Sequence, residues 1–292
     1  MKKRSQKIRN NDSAGYLMSL PYIIYFCLFI GFPLVFSFIL IFHKWNIITP
    51  MEWVGLRNFV RLFRDIQFFK SIQNTLKFLI IHIPLQITVA LLLAVLLNQK
   101  IKARGFFRAL YFLPVIVSGV VITLLWRQLY AYDTGLLNTL LTHLGFARIP
   151  WITEPEWAMP SIAIMATWKN VGLYVVLFLV GLQGIPRYMY EAAEMDGAKA
   201  YQQFFYITLP ALNSTMVLVI ILSTIGGFSL FIEPFVMTGG GPINSTLSAM
   251  LYIYNQAFYF GHMGYAATLG FFFAFIVLAV VLIQKKFVER KD

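Results

Sequence analysis

The sequence predicts an all-α integral membrane protein with about six transmembrane helices. Apolar residues make up 59% of the chain and charged residues only 12%, against about 25% charged residues in an ordinary soluble domain. The mean hydropathy is +0.71. Long runs without charge alternate with short polar segments, and ~20 apolar residues are enough to cross a hydrocarbon layer of ~30 Å. The composition therefore excludes a soluble globular domain.

The apolar runs predict the spans in order along the chain. The first run follows the basic segment MKKRSQKIRN. It is too long for a secretory signal and lacks an obvious cleavage site, so we expect an uncleaved first span. The spans are predicted over residues of about 15–42, 74–98, 106–130, 157–183, 210–232 and 263–284.

The distribution of Lys and Arg predicts that both termini are cytoplasmic, because cytoplasmic loops of membrane proteins collect these residues. With both termini inside, the inner segments carry fifteen Lys and Arg residues and the outer segments seven. The net charge of +12 therefore reflects topology rather than a nucleic-acid surface. We expect a basic cytoplasmic tail at 1–14, a transmembrane domain at 15–284 and a second cytoplasmic tail at 285–292.

The first outer segment, residues 43–73, contains the helix-like stretch NFVRLFRDIQFFKS. We expect this stretch to lie along the outer surface with its Phe residues toward the membrane.

A polar, alanine-rich segment at 184–210 separates the fourth and fifth spans on the predicted cytoplasmic side. Pro186 suits the first position of a helix and Gly197 the position just past its end. This spacing predicts a helix of about ten residues, RYMYEAAEMD. A second helical run is expected at Ala198–Phe205, before Pro210 opens the fifth span.

The carboxylates of this predicted helix, Glu191, Glu194 and Asp196, crowd toward its carboxyl end, where the helix dipole disfavours negative charge. That cost indicates a partner that supplies donors or cations. The predicted docking side consists of Met189, Ala192, Ala193 and Met195.

The same segment carries a spaced signature: Glu191-Ala192-Ala193, three residues, Gly197, nine residues, Ile207, one residue, and Leu209-Pro210. It resembles the EAA signature of binding-protein-dependent ABC importer permeases. The stretches GLRNFVRLF, NTLKF, FFRALYFLP and TGGGPINST resemble the maltose-type carbohydrate permeases, in particular the first of their two permease subunits. The resemblance spans nearly the whole chain.

This resemblance implies a type I ABC importer permease architecture in a bacterial cell membrane. The implied partners are a second permease subunit of the same family, two ABC ATPase subunits and an extracytoplasmic solute-binding protein that delivers a carbohydrate. ATP and Mg²⁺ would be bound by the ATPases, so this chain would hold no cofactor and catalyse no reaction. Its EAA loop would form a coupling helix in a groove of the ATPase, with Glu191, Ala192, Ala193, Asp196 and Gly197 as the contact.

Polar residues inside spans are costly and point to function. In this family the helices on either side of the EAA loop line the substrate cavity, and transporter sites lie near the bilayer midplane. The substrate path is therefore predicted at Asn170, Tyr174, Ser223, Gly227, Ser229 and Glu233. The alternative is that Ser and Gly here only allow close packing of helices.

The glycine-rich stretch TGGGP, Thr238–Pro242, lacks the Lys of a phosphate-binding loop. We expect a flexible outer turn that shapes the cavity or meets the binding protein. The four His residues have no paired spacing, so no metal site is expected.

An alternative function is an ion-coupled secondary transporter or channel that works without an ATPase. That function needs a coupling-ion path, and the spans contain no clear mid-membrane carboxylate and no visible inverted repeat. A membrane-embedded enzyme is disfavoured because no nucleophile or metal constellation is present.

Overall fold

The computed structural model describes residues 15–99 and 104–288. The chain divides into two compact units. The described part of the first comprises residues 15–64 and 253–272, and that of the second comprises residues 65–252, apart from 100–103, and 273–288. The basic tail predicted at 1–14 and the last four residues of the tail predicted at 285–292 lie outside the described residues.

The described residues are mostly helical. Three π-helical turns occur, one of them within α1 at Cys27–Gly31 and the others at Phe204–Thr208 and Asn255–Tyr259. In chain order the helices are α1 (Gly15–Leu40), α2 (Arg57–Phe63), α3 (Ile66–Asn98), α4 (Arg104–Ile116), α5 (Gly119–Leu129), α6 (Leu136–His143), α7 (Pro155–Gln183), α8 (Arg187–Met195), α9 (Ala200–Gln203), α10 (Leu209–Ala211), α11 (Asn213–Phe228), α12 (Ile232–Met237), α13 (Ala249–Tyr254) and α14 (Met263–Val288).

Within the described residues, five helices are long and apolar enough to cross a membrane, and a bent pair makes a sixth span if it is counted as one. The five are α1, α3, α7, the stretch Asn213–Met237 that joins α11 and α12, and residues Met263–Lys286 of α14. The prediction of an all-α membrane protein with about six spans is confirmed.

The third predicted span is not one helix. It consists of α4 and α5, which meet at an angle of 99°. Pro114 lies within α4, where it removes a backbone hydrogen bond, and Ser118 has an extended backbone (ψ 128°) before α5 begins. The prediction of a continuous helix at 106–130 was therefore wrong.

The second span begins earlier than predicted, at Ile66 rather than near residue 74. Asp65 caps the helix, because its carboxylate accepts a hydrogen bond of 3.0 Å from the backbone N–H of Phe68. Lys70 and Lys77 interrupt the apolar run in the first turns of this helix, which concealed its start in the sequence.

The second unit has its core where α3, α7 and α11 pack together. Ala94, Phe178 and Val219 are fully or almost fully buried there. Small residues allow the helices to approach closely. At Gly181 of α7, for example, an added Cβ would lie 2.5 Å from Thr215 Oγ1 on α11.

In the first unit, a short antiparallel hairpin follows α1. Its strands, β1 (His43–Lys44) and β2 (Glu52–Trp53), pair His43 with Trp53. The buried Asn58 of α2 donates to the Ile41 carbonyl at 2.8 Å and to the His43 carbonyl at 3.1 Å. The stretch predicted as one surface helix is instead divided, since α2 ends at Phe63 and α3 begins at Ile66.

Hydrogen bonds connect the glycine-rich stretch to its neighbours, and the expectation that this turn is flexible stays a prediction. Gly239 and Gly240 have positive φ angles of 63° and 91°. The buried Thr246 hydroxyl donates to the Gly241 carbonyl at 2.7 Å. Asn74 of α3 donates to the Asn244 carbonyl, also at 2.7 Å.

Candidate functional site

The segment between the fourth and fifth spans forms a short helix with a defined end. The helix α8 has nine residues, with Pro186 as its N-cap rather than its first residue. Its end is a Schellman turn: the Gly197 N–H donates to the Glu194 carbonyl at 3.0 Å, and the Ala198 N–H donates to the Ala193 carbonyl at 2.9 Å. Gly197 has a φ of 77°, which glycine adopts without strain.

None of the residues of α8 is buried. Of the predicted coupling residues, Glu191, Ala192, Asp196 and Gly197 are exposed and Ala193 is half-buried. The predicted docking side is divided, because Met189 and Ala193 are half-buried whereas Ala192 is exposed and Met195 is 87% exposed. The helix thus presents a mixed apolar and acidic surface to its surroundings.

A single side-chain hydrogen bond ties α8 to the segment that follows it. The Tyr190 hydroxyl lies 2.8 Å from Thr208 Oγ1, and Thr208 is buried at the end of the π-helical turn. The next residue of the signature, Leu209, packs against the core of the second unit. The first half of the signature is therefore exposed, and its second half is anchored.

The helical run predicted at Ala198–Phe205 is shorter and less regular than expected. Only Ala200–Gln203 is α-helical, and the π-helical turn Phe204–Thr208 follows. Pro210 does not open the long helix but lies in the three-residue α10, before α11 begins at Asn213.

A second candidate site is a cavity of about 480 Å³ within the second unit. The structure brings all six predicted substrate-path residues to its wall, although they come from α7, α11 and α12 and the segment between the last two helices. They are Asn170, Tyr174, Ser223, Gly227, Ser229 and Glu233.

An ion pair lies in the cavity wall. Lys169 Nζ is 2.9 Å from Glu233 Oε1, and the two side chains are only 15% and 10% exposed. The ammonium group also fills the space beside Gly119, where an added Cβ would lie 2.9 Å from Nζ. Lys169 thus connects α7 to α12 beside the first residue of α5.

Some of the predicted residues use their polar groups on their own helices. The Asn170 amide donates to the Ala166 carbonyl at 3.0 Å, and the Ser229 hydroxyl donates to the Ile225 carbonyl at 3.1 Å. The Ser223 hydroxyl instead donates across helices to Gln86 Oε1 at 2.8 Å. These groups provide acceptors and donors of the kind that sugar hydroxyls bind.

Packing accounts for one predicted substrate-path residue. A side chain at Gly227 would meet the end of the Leu79 side chain of α3, so the glycine favours the close approach of two helices. This contact favours the alternative that the sequence left open for Gly227.

Sequence reasoning missed the contribution of α3. His82 lines the cavity and its Nδ1 lies 2.9 Å from Thr167 Oγ1, while Gln86 accepts the bond from Ser223. These two residues are four apart in one apolar helix and so share a face. That spacing was the available signal. In residues 15–99 and 104–288 no cluster of His, Cys, Asp and Glu could hold a metal ion.

This fold and these sites define the class: an α-helical, multi-pass membrane subunit with a polar cavity and an exposed helix between two spans. The family model described as the binding-protein-dependent transport system inner membrane component matches residues 16–292, and the chain belongs to that family. It is a permease subunit of an ABC importer in the cell membrane, which confirms the family resemblance drawn from the sequence.

Relatives with similar lengths support this assignment. The chain is 36% identical over 287 residues to the lactose transport system permease protein LacF of Rhizobium radiobacter, covering 96% of each chain. It is 35% identical over 285 residues to the probable ABC transporter permease protein YurN of Bacillus subtilis (strain 168), covering 96% of this chain and 97% of YurN. It is 33% identical to the trehalose/maltose permease MalF of Thermococcus litoralis, covering 93% and 92%.

Solved structures show the same fold. A chain of a bacterial ABC transporter that imports the acidic polysaccharide alginate superposes with a TM-score of 0.81 at 25% identity, covering 98% of both chains. A second structure, of the alginate transporter in complex with an alginate pentasaccharide-bound periplasmic protein, also gives 0.81 at 25% identity, covering 96% of this chain and 95% of that one.

Proposed function

We propose that this subunit translocates a carbohydrate that an extracytoplasmic solute-binding protein delivers. The relatives named for their cargo carry lactose, trehalose and maltose, and the structural neighbour imports alginate. The cavity supports a polyhydroxylated substrate, because amide, hydroxyl and charged groups line it beside Tyr174. The proposed path comprises Asn170, Tyr174, Ser223, Ser229 and Glu233, with Gly227 placed for close packing against Leu79.

The proposed assembly contains a second permease subunit of the same family and two ABC ATPase subunits, which bind ATP and Mg²⁺. In this assembly our chain catalyses no reaction of its own. Both termini and the loop 184–210 would lie on the cytoplasmic side, where the ATPases are.

The observation that carries the coupling proposal is the helix α8. None of its residues is buried, it ends in a hydrogen-bonded turn at Gly197, and one bond from Tyr190 to Thr208 fastens it to the anchored half of the signature. Such a helix can enter a groove of an ATPase through Glu191, Ala192, Ala193, Asp196 and Gly197. A force on the ATPase side would then reach the fifth span through the anchored residues Thr208 and Leu209.

The test is the capture of partners from membranes by the intact chain and by a double variant, E191K with G197D. We expect the intact chain to retain an ABC ATPase and a second permease, and the double variant to lose the ATPase alone. A matched control is R148Q, because Arg148 is an exposed residue of a different segment, paired with Asp133.

Two results would contradict the proposal. If the double variant retained the ATPase, α8 would not form the interface with the ATPase. Solute uptake by the purified chain without any ATPase would instead support the ion-coupled transporter or channel.

A further inference from the structure

A groove of about 1010 Å³ lies entirely within the first unit, and none of its lining residues belongs to the cavity wall or to α8. The hairpin β1–β2, the helix α2 and the residues on either side of the start of α14 line it. Its polar and aromatic lining includes Lys44, Trp45, Arg57, Arg61, His262 and Tyr265. Neither the proposed substrate path nor the coupling helix uses any of these residues.

Cationic groups dominate this groove. Arg57 and Arg61 are one turn apart on α2 and so share a face. The only carboxylate in the lining is Glu52, which lies 3.9 Å from Lys44 Nζ in an exposed ion pair. Such an exposed pair contributes little to stability. Among the described residues, the exposed Arg57 guanidinium has no hydrogen-bond or ion-pair partner.

Arg61, by contrast, is held in place. Its guanidinium carbon lies 3.9 Å from the centre of the buried Tyr265 ring, and its Nη2 lies 3.3 Å from His262 Nδ1 and 3.4 Å from Gln256 Oε1. The groove therefore combines one fixed guanidinium with one that is free to bind. Arg61 also covers the Tyr265 ring, so that face is closed to the stacking that sugars use.

The charges of Arg61 and Lys44 also act on His262, together with its burial. Burial, followed by the charges of Arg61 and Lys44, lowers the pKa of His262 from its ordinary value of 6.5. A second cation in this groove is thus disfavoured, and an anion is favoured.

The groove lies where two spans end. The first span ends at Leu40 and the last begins at Met263, whose backbone N–H donates to the Trp45 carbonyl at 3.0 Å. Trp and Tyr concentrate at the boundary between membrane and water. Guanidinium groups at that boundary can form charge-assisted hydrogen bonds with the phosphate oxygens of a lipid headgroup. The apolar first span, of which only 6% is buried in this chain, offers a surface for acyl chains.

We propose that this groove binds the phosphate group of an anionic phospholipid, with Arg57 as the contacting residue beside the fixed Arg61. A guanidinium matches two phosphate oxygens at once, which an ammonium group does not. The groove is much larger than an inorganic phosphate ion, and its position beside a span fits a glycerophosphate headgroup with its chains in the bilayer. This site goes beyond the carbohydrate path, and the proposed function does not depend on it.

The test uses the assembled importer, purified and stripped of lipid, with bound lipid measured by native mass spectrometry. Phosphatidylglycerol and phosphatidylcholine are the two probes. We expect phosphatidylglycerol to bind in preference, R57Q to weaken it about tenfold, as expected for one lost charge-assisted hydrogen bond, and R57K to give an intermediate affinity. The control R148Q removes an exposed Arg of another segment and should change nothing.

Three results would overturn the proposal. If the wild type and R57Q bind phosphatidylglycerol equally well, the lipid does not bind in this groove. Complete competition by millimolar inorganic phosphate makes the groove a site for the free anion. If R57Q binds lipid as the wild type does but loses affinity for a solute-binding protein, the groove is a protein interface. ATPase capture is expected to be unchanged in R57Q, which separates this result from the test of α8.

Discussion

Lys169 Nζ lies 2.9 Å from Glu233 Oε1 in the wall of the polar cavity, with both side chains at least 85% removed from solvent. The pair joins α7 to the short helix α12, which lies at the end of the span Asn213–Met237. A charge in such surroundings is tolerated because its partner is present, and each residue therefore depends on the other.

The first prediction concerns this pair. K169M and E233Q should each lower the free energy of unfolding by about 3–5 kcal/mol, because each leaves one buried charge unpaired. The double variant should be more stable than either single variant, since no unpaired charge remains. Thermal unfolding of the purified assembly measures how far the effects of the two substitutions depend on each other. The exposed pair Arg187–Glu191 is the control, and R187Q should barely change stability. Additive effects of K169M and E233Q would contradict the prediction.

The second prediction concerns the turn after α8. Gly197 has a φ of 77° and open space around its Cβ position, so only the backbone conformation restricts the residue there. G197V should strain the turn and reduce ATPase capture about tenfold, because a β-branched residue at positive φ costs ~1–3 kcal/mol. G197N should retain capture, since Asn tolerates this conformation. Equal capture by the two variants would show that the turn does not matter.

The third prediction concerns the anchor of α8. Y190F removes the hydroxyl that lies 2.8 Å from Thr208 Oγ1. We expect ATP hydrolysis by the assembled importer to respond less to the loaded binding protein, while the ATPase stays bound. Y188F is the control, because Tyr188 is an exposed residue of the same helix. A loss of ATPase capture in Y190F would instead assign the hydroxyl to the interface.

The fourth prediction separates packing from substrate contact in the cavity. G227A should destabilise the fold, because its methyl group would collide with Leu79. S229A should leave the unfolding temperature unchanged, since the Ser229 hydroxyl only bonds its own helix at Ile225. If S229A also weakens carbohydrate uptake at normal expression, Ser229 contacts the substrate. A stable, fully active G227A variant would contradict the packing role.

The fifth prediction is a pH dependence in the first unit. The pKa of His262 is lowered in the folded chain, so between that pKa and 6.5 the unfolded chain binds more protons. The contribution of His262 to stability is therefore present above pH ~6.5 and is lost as the pH falls. The protection factors for amide hydrogen exchange in residues 43–61, corrected for the intrinsic pH dependence of exchange, should fall below that pH. H262Q should remove the dependence, and an unchanged profile in that variant would assign it to another group.

Much of the fold was predictable because a transmembrane span can be recognised from its apolar composition. The charge-free runs located every crossing segment, and Gly197 correctly marked the end of α8. Composition does not report the direction of a helix axis, however, so it did not show that the chain turns by 99° after Pro114. Nor did it place the start of α3, since Asp65 and Lys70 fell within the stretch predicted as one surface helix although Asp65 is a helix cap.

The cavity was predictable only in part. Polar residues on two apolar runs indicated which helices face each other, and the structure brings the six residues to one wall. Their role in transport stays a prediction. His82 and Gln86 were missed because their spacing shows only that they share a face of α3, and it does not show which helices that face meets.

The corner between α4 and α5 has a consequence for the surrounding lipid. At 1.5 Å per residue, α4 and α5 are about 20 and 17 Å long, and neither alone spans a hydrocarbon layer of ~30 Å. Two short helices at nearly a right angle therefore take the place of one long helix. The thickness of bilayer that this side of the subunit matches is set by the angle of the bend rather than by the number of apolar residues.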